Sequence, residues 1–141
     1  MLFIASDHGG FELKNRVMAH LKKLGIEYED LGTYTQDSCD FPVYAKKLVS
    51  KVVEDEKNRG ILICGSGIGM SICANRNPGI RAALCKDVAT ARLCRQHNDA
   101  NVLVLGGRNT GVVTANKMVI TFLTTEHLGG KYARRMKMID E

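Results

Sequence analysis

A cysteine and three glycines stand close together in the middle of the chain. Cys64 closes an apolar run, and Gly65, Gly67 and Gly69 follow it in the order Cys-Gly-Ser-Gly-Ile-Gly. Where a strand turns into a helix, such glycines let backbone N–H groups approach an anion, and the helix N-terminus adds partial positive charge. A helix N-terminus also favours the thiolate form of a cysteine. The pattern predicts that Cys64 is a base or a nucleophile beside an anion-binding loop; a buried structural cysteine before a tight turn is the alternative.

Three familiar motifs do not account for this loop. The dinucleotide-binding fingerprint Gly-x-Gly-x-x-Gly fails at Met70, although Asp87 stands at the usual acidic offset, so a nucleotide-binding module stays open as an alternative. A cysteine phosphatase needs an arginine six positions after its nucleophile, and that position is again Met70. A hydrolase elbow, Gly-x-Ser-x-Gly, is not formed around Ser66.

The histidines divide into two groups. His8 follows Asp7 in a Ser-Asp-His-Gly-Gly segment, and His97 lies in a polar loop where imidazole can exchange protons near neutral pH. Either histidine could instead be a surface residue, and Asp7 could be a helix cap. His20 and His127 are predicted to lie within helices and to face solvent.

A basic cluster follows the Gly129–Gly130 break, at Lys131, Arg134, Arg135 and Lys137. Such a run is either a solvated face or a phosphate-binding segment, for which the guanidinium fork is suited. The formal net charge is +5, but the other basic residues are dispersed and the chain has no tryptophan for a base-stacking surface. A small anionic substrate is therefore favoured, and neither nucleic acid nor a membrane is expected as a partner.

The bulk properties indicate one domain covering residues 1–141. No apolar run approaches the roughly 20 residues of a membrane helix, and the first residues lack the features of a signal peptide. The five cysteines form no Cys-x-x-Cys pair, which disfavours a zinc ribbon and predicts free thiols. A cytoplasmic protein is the expectation.

Apolar runs alternate with helical patterns along the chain, which predicts an α/β fold: a five-stranded parallel sheet covered by helices on both faces. The predicted strands are residues 2–6, 26–32, 60–65, 80–85 and 101–107. The predicted helices are residues 11–25, 43–55, 68–76, 88–96 and 110–128, and the tail is a candidate for one more.

Ligands of parallel sheets bind beyond the carboxyl ends of the strands. Asp7 and His8 follow the first predicted strand, Cys64 closes the third, and Arg108 follows the fifth. We therefore expect these side chains to share one edge of the sheet. His97 precedes the fifth strand, which puts it at the other end of that strand.

Four segments, in this order, resemble the ribose-5-phosphate isomerase B family, which also contains the galactose-6-phosphate isomerase subunits. They are SDHGGFELK (6–14), GILICGSGIGMSICANR (60–76), CRQHNDANVLVLGGR (94–108) and GGKYARR (129–135). Each is weak alone, but the four together are specific, and the resemblance covers nearly the whole chain.

The resemblance implies a three-layer Rossmann-like sandwich and an aldose–ketose isomerase that acts on a sugar phosphate through a cis-enediol, in the pentose phosphate pathway. Cys64 would be the base, His97 would donate a proton and open the sugar ring, and Ser66 would be catalytic. The substrate-binding positions implied are Asp7, His8, Gly65, Ser66, Gly67, Ile68, Gly69, Asn98, Arg108, Lys131 and Arg135.

The resemblance further implies no metal and no organic cofactor. It implies a homodimer or tetramer with active sites shared across the dimer interface, and a tail, about residues 129–141, that completes the phosphate site. Ser66 stands where many relatives carry threonine, and Lys131 where many carry arginine. The thiol of Cys64 favours ribose 5-phosphate over a six-carbon substrate, with allose 6-phosphate left open. An inactive partner subunit of a mixed oligomer is a further alternative.

Overall fold

Five parallel strands form a single sheet in the computed structural model, which describes residues 1–141. The strands are β1 (Leu2–Ser6), β2 (Glu29–Asp30), β3 (Arg59–Cys64), β4 (Ala82–Leu84) and β5 (Val102–Gly106). Their order across the sheet is β2-β1-β3-β5-β4, and every neighbouring pair is parallel. The predicted α/β fold with a five-stranded parallel sheet is confirmed.

Six helices connect or follow the strands. They are α1 (Phe11–Lys23), α2 (Phe41–Val52), α3 (Ile68–Asn75), α4 (Val88–Gln96), α5 (Val112–Thr124) and α6 (Gly130–Asp140). A short 3-10 turn at His8–Gly10 precedes α1. The additional helix suggested for the tail is present as α6. No helix has both the length and the apolar character needed to cross a membrane.

Alternate residues of the strands supply two separate cores, one on each face of the sheet. Ile61 and Ile63 pack with residues of α1, α4 and α5, whereas Leu62 and Cys64 pack with residues of α2 and α3. Side chains of successive strand residues point to opposite faces, so a strand with helices on both sides is apolar at every position. This is why the central strands read as continuous apolar runs.

Several predicted boundaries differ from the structure by two or three residues, and two predicted elements differ most. Of the predicted strand 26–32, only Glu29 and Asp30 pair with β1. This segment is the outermost strand of the sheet, with a partner on one side only, and the chain turns immediately after it. The last long helix ends at Thr124, four residues early. The hydroxyls of Thr124 and Thr125 donate to the carbonyls of Ile120 and Thr121, which supplies partners for the last turn.

A lysine is fully buried near the outermost strand, β2. The ammonium of Lys14, on α1, donates to the Asp30 carboxylate at 2.5 Å and to the Thr33 carbonyl at 2.7 Å. The same carboxylate accepts the N–H of Gly32 at 2.9 Å. A buried ammonium is tolerated only where its charge and its donors have partners. This ion pair therefore attaches the loop after β2 to α1.

Asp30→Ala is expected to lower the free energy of unfolding by about 3 kcal/mol, because the buried Lys14 ammonium loses its counter-charge. Urea unfolding followed by circular dichroism measures the loss. As a control, Glu54→Ala removes an exposed pair with Lys51 at 3.9 Å and should cost less than about 1 kcal/mol. Equal losses in the two variants would contradict a stabilising role for the buried pair.

Candidate active site

The strand order reverses between β1 and β3, where the chain runs outward in opposite directions from two neighbouring strands. In open parallel sheets, ligands bind at such a reversal, beyond the carboxyl ends of the strands. The structure places Asp7 after β1, Cys64 at the end of β3 and Arg108 two residues after β5. The expectation that these residues share one edge agrees with the structure.

Three glycine-containing loops meet at this edge, backbone against backbone. The N–H of Gly107 donates to the carbonyl of Cys64 at 2.7 Å, and the N–H of Arg108 donates to the carbonyl of Gly65 at 3.0 Å. A Cβ at Gly107 would lie 2.6 Å from the Gly9 carbonyl oxygen, and a Cβ at Gly9 would lie 3.0 Å from the Gly65 nitrogen. The first separation excludes a side chain at Gly107 and the second leaves almost no room for one at Gly9, so glycine allows the loops after β1, β3 and β5 to touch.

Cys64 lines a cavity of about 390 Å³ at the meeting point of these loops. Its side chain packs into the core formed with α2 and α3, and only 5% of the residue is exposed. The cavity lining consists of Asp7, Phe41, Cys64, Gly65, Ser66, Gly69, Arg108 and Asn109. The thiol is therefore fixed by the core on one side and faces an open cavity on the other.

The glycine loop holds free backbone donors next to this thiol. The N–H groups of Gly65, Ser66, Gly67 and Gly69 make no hydrogen bond within the protein, while the N–H of Ile68 donates to the Ser66 hydroxyl at 3.2 Å. Gly67 has a φ of 81°, the left-handed region that favours glycine, and α3 begins at the next residue. Unpaired N–H groups at the start of a helix are suited to bind an oxygen anion.

Asp7 and His8 have both structural and cavity contacts. The Asp7 carboxylate accepts the N–H of Gly10 at 3.1 Å, so it caps the 3-10 turn as well as lining the cavity of Cys64. His8 lines an adjoining cavity of about 340 Å³, and Arg108 lines both cavities. The Nδ1 of His8 accepts the N–H of Cys39 at 3.2 Å, which leaves Nε2 as the donor of the neutral ring.

The remaining predicted site residues lie at the opposite edge. His97 caps the end of α4, five residues before β5 begins, and Asn98 follows it. Lys131 and Arg135 lie on α6. This helix contacts the same edge where the amide nitrogen of Asn98 lies 3.8 Å from the sulfur of Met136. The length of a strand, about 15 Å, separates the two edges. In one chain, His97, Asn98, Lys131 and Arg135 are therefore far from Cys64.

The prediction for His127 is wrong. This residue follows the end of α5 rather than lying within a helix, and its Nδ1 is 2.9 Å from the Gln96 carbonyl oxygen. The N–H of Leu128 donates to the same carbonyl at 3.0 Å. The segment between α5 and α6 is thus attached to the end of α4, directly beside His97.

The other thiols are free, as predicted, and two of them are core residues. Cys85 and Cys94 are buried in the core on the α4 and α5 face. The pKa of the Cys94 thiol is raised well above its ordinary value, mainly by a hydrogen bond with Cys85 and to a lesser extent by burial. No group of three or more histidine, cysteine, aspartate or glutamate side chains is placed to hold a metal ion.

Several cavity residues were not foreseen from the sequence. Asn109 follows Arg108 and faces the same cavity. Since ligands bind beyond the carboxyl ends of parallel strands, extending the search by one residue after β5 would have found it. Phe41, at the start of α2, contacts Gly69 with its ring and closes one side of the cavity. Arg16 and Thr110 line the adjoining cavity with His8. Phe41 and Arg16 carried no sequence signal, because distant parts of the chain bring them to the site.

The profile of the ribose/galactose isomerase family matches residues 2–139. The chain belongs to this family. Solved structures of the ribose/galactose isomerase family share its fold closely. A ribose 5-phosphate isomerase from Thermotoga maritima is 53% identical with a TM-score of 0.96, over 99% of this chain and 96% of that one.

Two further relatives carry substrate information in their names. Ribose-5-phosphate isomerase B of Escherichia coli is 43% identical over 94% of this chain and 89% of its own length. Ribose-5-phosphate isomerase B from Mycoplasma genitalium, solved with bound ribulose-5-phosphate, is 40% identical with a TM-score of 0.95, over 99% of this chain and 93% of that one.

Gly67→Ala is expected to lower the free energy of unfolding by about 1–3 kcal/mol, because alanine is strained at this positive φ. Its Cβ would also lie 2.5 Å from Leu84 Cδ1 and 3.1 Å from the Leu105 carbonyl carbon. Urea unfolding measures the effect.

Gly111→Ala is the matched control for this substitution. Gly111 has a φ of −68° and nothing lies within 4 Å of the added Cβ, so its effect should stay within about 1 kcal/mol. If Gly67→Ala were as stable as Gly111→Ala, the loop would not need the left-handed conformation.

Proposed function

We propose that the chain interconverts ribose 5-phosphate and ribulose 5-phosphate, with Cys64 as the base and a cis-enediolate as the intermediate. The observation that carries the proposal is the cavity at the carboxyl edge, where a thiol adjoins backbone N–H groups that have no partner in the protein. The names of the E. coli and M. genitalium relatives support this choice of substrate.

The chemistry requires a base and a stabiliser of negative charge in the same place. The thiolate of Cys64 removes the proton from C2 of the open-chain aldose, and the C–H electrons form the C1–C2 double bond while O1 becomes anionic. The thiol then returns its proton to C1, and a proton passes from O2 to O1, which gives the ketose. Donors aimed at the developing oxyanion contribute about 3–4 kcal/mol each, and the N–H groups of the glycine loop are suited to this.

The phosphate would bind toward the adjoining cavity. Arg108 lines both cavities, and its guanidinium packs against the Gly65 backbone, so it can reach a phosphate while the sugar lies beside Cys64. His8 lies in the second cavity with Nε2 available as a donor. A dianionic phosphate favours a guanidinium fork and imidazole N–H donors. Asp7 lines the sugar cavity and is suited to accept hydrogen bonds from hydroxyl groups.

A second copy of the chain would complete the site. In the proposed ring opening, His97 donates a proton to the ring oxygen O4 as the C1–O4 bond breaks, and the O1 hydroxyl gives its proton to water as the C1=O1 bond forms. In its own chain, however, His97 lies at the opposite edge from Cys64. Lys131 and Arg135, proposed as phosphate ligands, lie at that same edge. Two copies related by a two-fold axis can bring the two edges together twice, which gives two equivalent sites.

The number of carbon atoms in the sugar is a separate question from the type of reaction. Ribose 5-phosphate is the proposed substrate, and allose 6-phosphate is the alternative, since the same base and phosphate ligands would serve both. Turnover of both aldose phosphates by the purified chain decides between them. Saturable nucleotide binding without turnover of either sugar would instead support a nucleotide-binding module, and an inactive pure chain would support a partner subunit.

Cys64→Ala is expected to lower turnover of ribose 5-phosphate by about 10³-fold or more, because the base is lost. Circular dichroism verifies that the fold is retained. Cys73→Ala is the matched control: this half-buried thiol, on α3, is not among the residues that line the Cys64 cavity. Near-wild-type turnover in Cys64→Ala would remove this thiol from the mechanism.

Mixing two inactive variants tests the shared site. Cys64→Ala and His97→Ala, co-expressed at equal levels, should recover about one quarter of wild-type turnover if the oligomer is built from symmetric dimers. Half of the dimers are then mixed, and one of the two sites in each mixed dimer carries both wild-type residues. Mixing Cys64→Ala with the double variant should recover nothing. No recovery in the first mixture, with mixed dimers detected by mass spectrometry, would contradict sharing.

A further inference from the structure

A tyrosine outside the proposed site stacks on His97. The rings of His97 and Tyr132 have centroids 4.3 Å apart and planes that differ by 9°. Tyr132 belongs to α6, whereas His97 belongs to the end of α4, so the stack joins two separate elements. A parallel stack limits rotation of both rings, because tilting either of them loses contact or creates overlap.

The same ring contacts a second predicted site residue. The ammonium of Lys131 lies 5.3 Å from the centroid of Tyr132, within the range of a cation–π contact. Tyr132 thus contacts both a proposed proton donor and a proposed phosphate ligand. Both of those contacts use the ring and neither needs the hydroxyl group.

Several contacts along α6 hold this helix in place around the stack. The Leu128 N–H donates to the Gln96 carbonyl just before the helix, and Asn98 donates to the Met136 sulfur at 3.8 Å. At the far end, Arg81 pairs with Asp140 at 2.5 Å.

The Arg81 guanidinium also lies 3.6 Å from the Asp99 carboxylate, which accepts from Arg95 at 2.9 Å. The helix and the loop that carries His97 are therefore joined on both sides of the stack. The stack depends on Tyr132, whereas this anchoring of α6 depends on Arg81 and Asp140, so substitutions can change one without the other.

We propose that Tyr132 is a positioning residue that fixes the orientation of the His97 ring for proton transfer. This inference rests on the proposed function. His97 has its backbone fixed at the end of α4, but its side chain needs a further contact to select one ring orientation. Proton transfer requires hydrogen-bond geometry between the donor nitrogen and the sugar oxygen. The stack supplies that selection before a substrate binds.

Proton NMR tests the stack without reference to activity. A tyrosine ring parallel to an imidazole shifts the imidazole C–H signals upfield through its ring current. The His97 signals, assigned by their loss in His97→Gln, are expected upfield in the wild-type chain and in Tyr132→Phe. In Tyr132→Leu they should move downfield, toward the position of an unstacked histidine. Unchanged signals in Tyr132→Leu would overturn the stack.

Kinetics test the positioning role. In Tyr132→Leu, kcat should fall about tenfold, since small misplacements of a catalytic group have effects of this order or larger. KM should change by less than about threefold, because Lys131 and Arg135 stay on an anchored helix. Tyr132→Phe keeps the ring and should retain wild-type kcat. Failure of Tyr132→Phe to retain it would overturn the proposal.

Asp140→Asn is the control for helix anchoring. It weakens the pair with Arg81 and leaves the aromatic ring in place. Its His97 signals should match the wild type and its kcat should stay within about twofold. If Asp140→Asn lost as much kcat as Tyr132→Leu, the loss would belong to anchoring of α6, and the proposal would fall. An inactive wild-type chain would contradict the proposed function itself, whereas an active Tyr132→Leu variant contradicts only the role of Tyr132.

Discussion

The candidate site depends on three loops that lie closer together than side chains permit. Gly9, Gly65 and Gly107 bring the loops after β1, β3 and β5 into backbone contact. Hydrogen bonds from the N–H groups of Gly107 and Arg108 to the carbonyls of Cys64 and Gly65 fix the spacing. Those bonds use the carbonyl groups of Cys64 and Gly65 and leave the N–H groups of Gly65, Ser66, Gly67 and Gly69 unpaired. The loop is therefore held rigidly while its donors remain available, which is the arrangement that stabilisation of an oxyanion requires.

A parallel sheet has two chemically different edges, and this chain has candidate chemistry at both. The carboxyl edge has the thiol and the glycine loop, and the amino edge has His97 beside the basic helix α6. A strand of five residues keeps the edges about 15 Å apart, so no rearrangement short of unfolding unites them within one chain. The proposed assembly of two copies would let residues from both edges act on one small substrate.

The sequence predicted the sheet and its carboxyl edge because both follow from local patterns. Continuous apolar runs mark buried parallel strands, and the residues after each run mark the ligand edge, which is how Cys64 and Arg108 were found. The burial of Lys14, the position of His127 and the stack of Tyr132 on His97 escaped prediction. Each is decided by a partner at least 16 residues away in the chain, and one sequence contains no record of such pairings.

The orientation of the Cys64 thiol follows from the same alternation that builds the core. Ile61 and Ile63 face α1 and α5, so Leu62 and Cys64 must face α2 and α3. The pairing of Cys64 with Gly106 sets how far β3 extends at the edge. A slip of one residue would turn the sulfur to the opposite face, away from the cavity, and would move Ile61 and Ile63 into the layer that now holds Leu62 and Cys64. Because both layers are apolar, burial alone does not set this register; the close packing of each core keeps the thiol in register with the glycine loop.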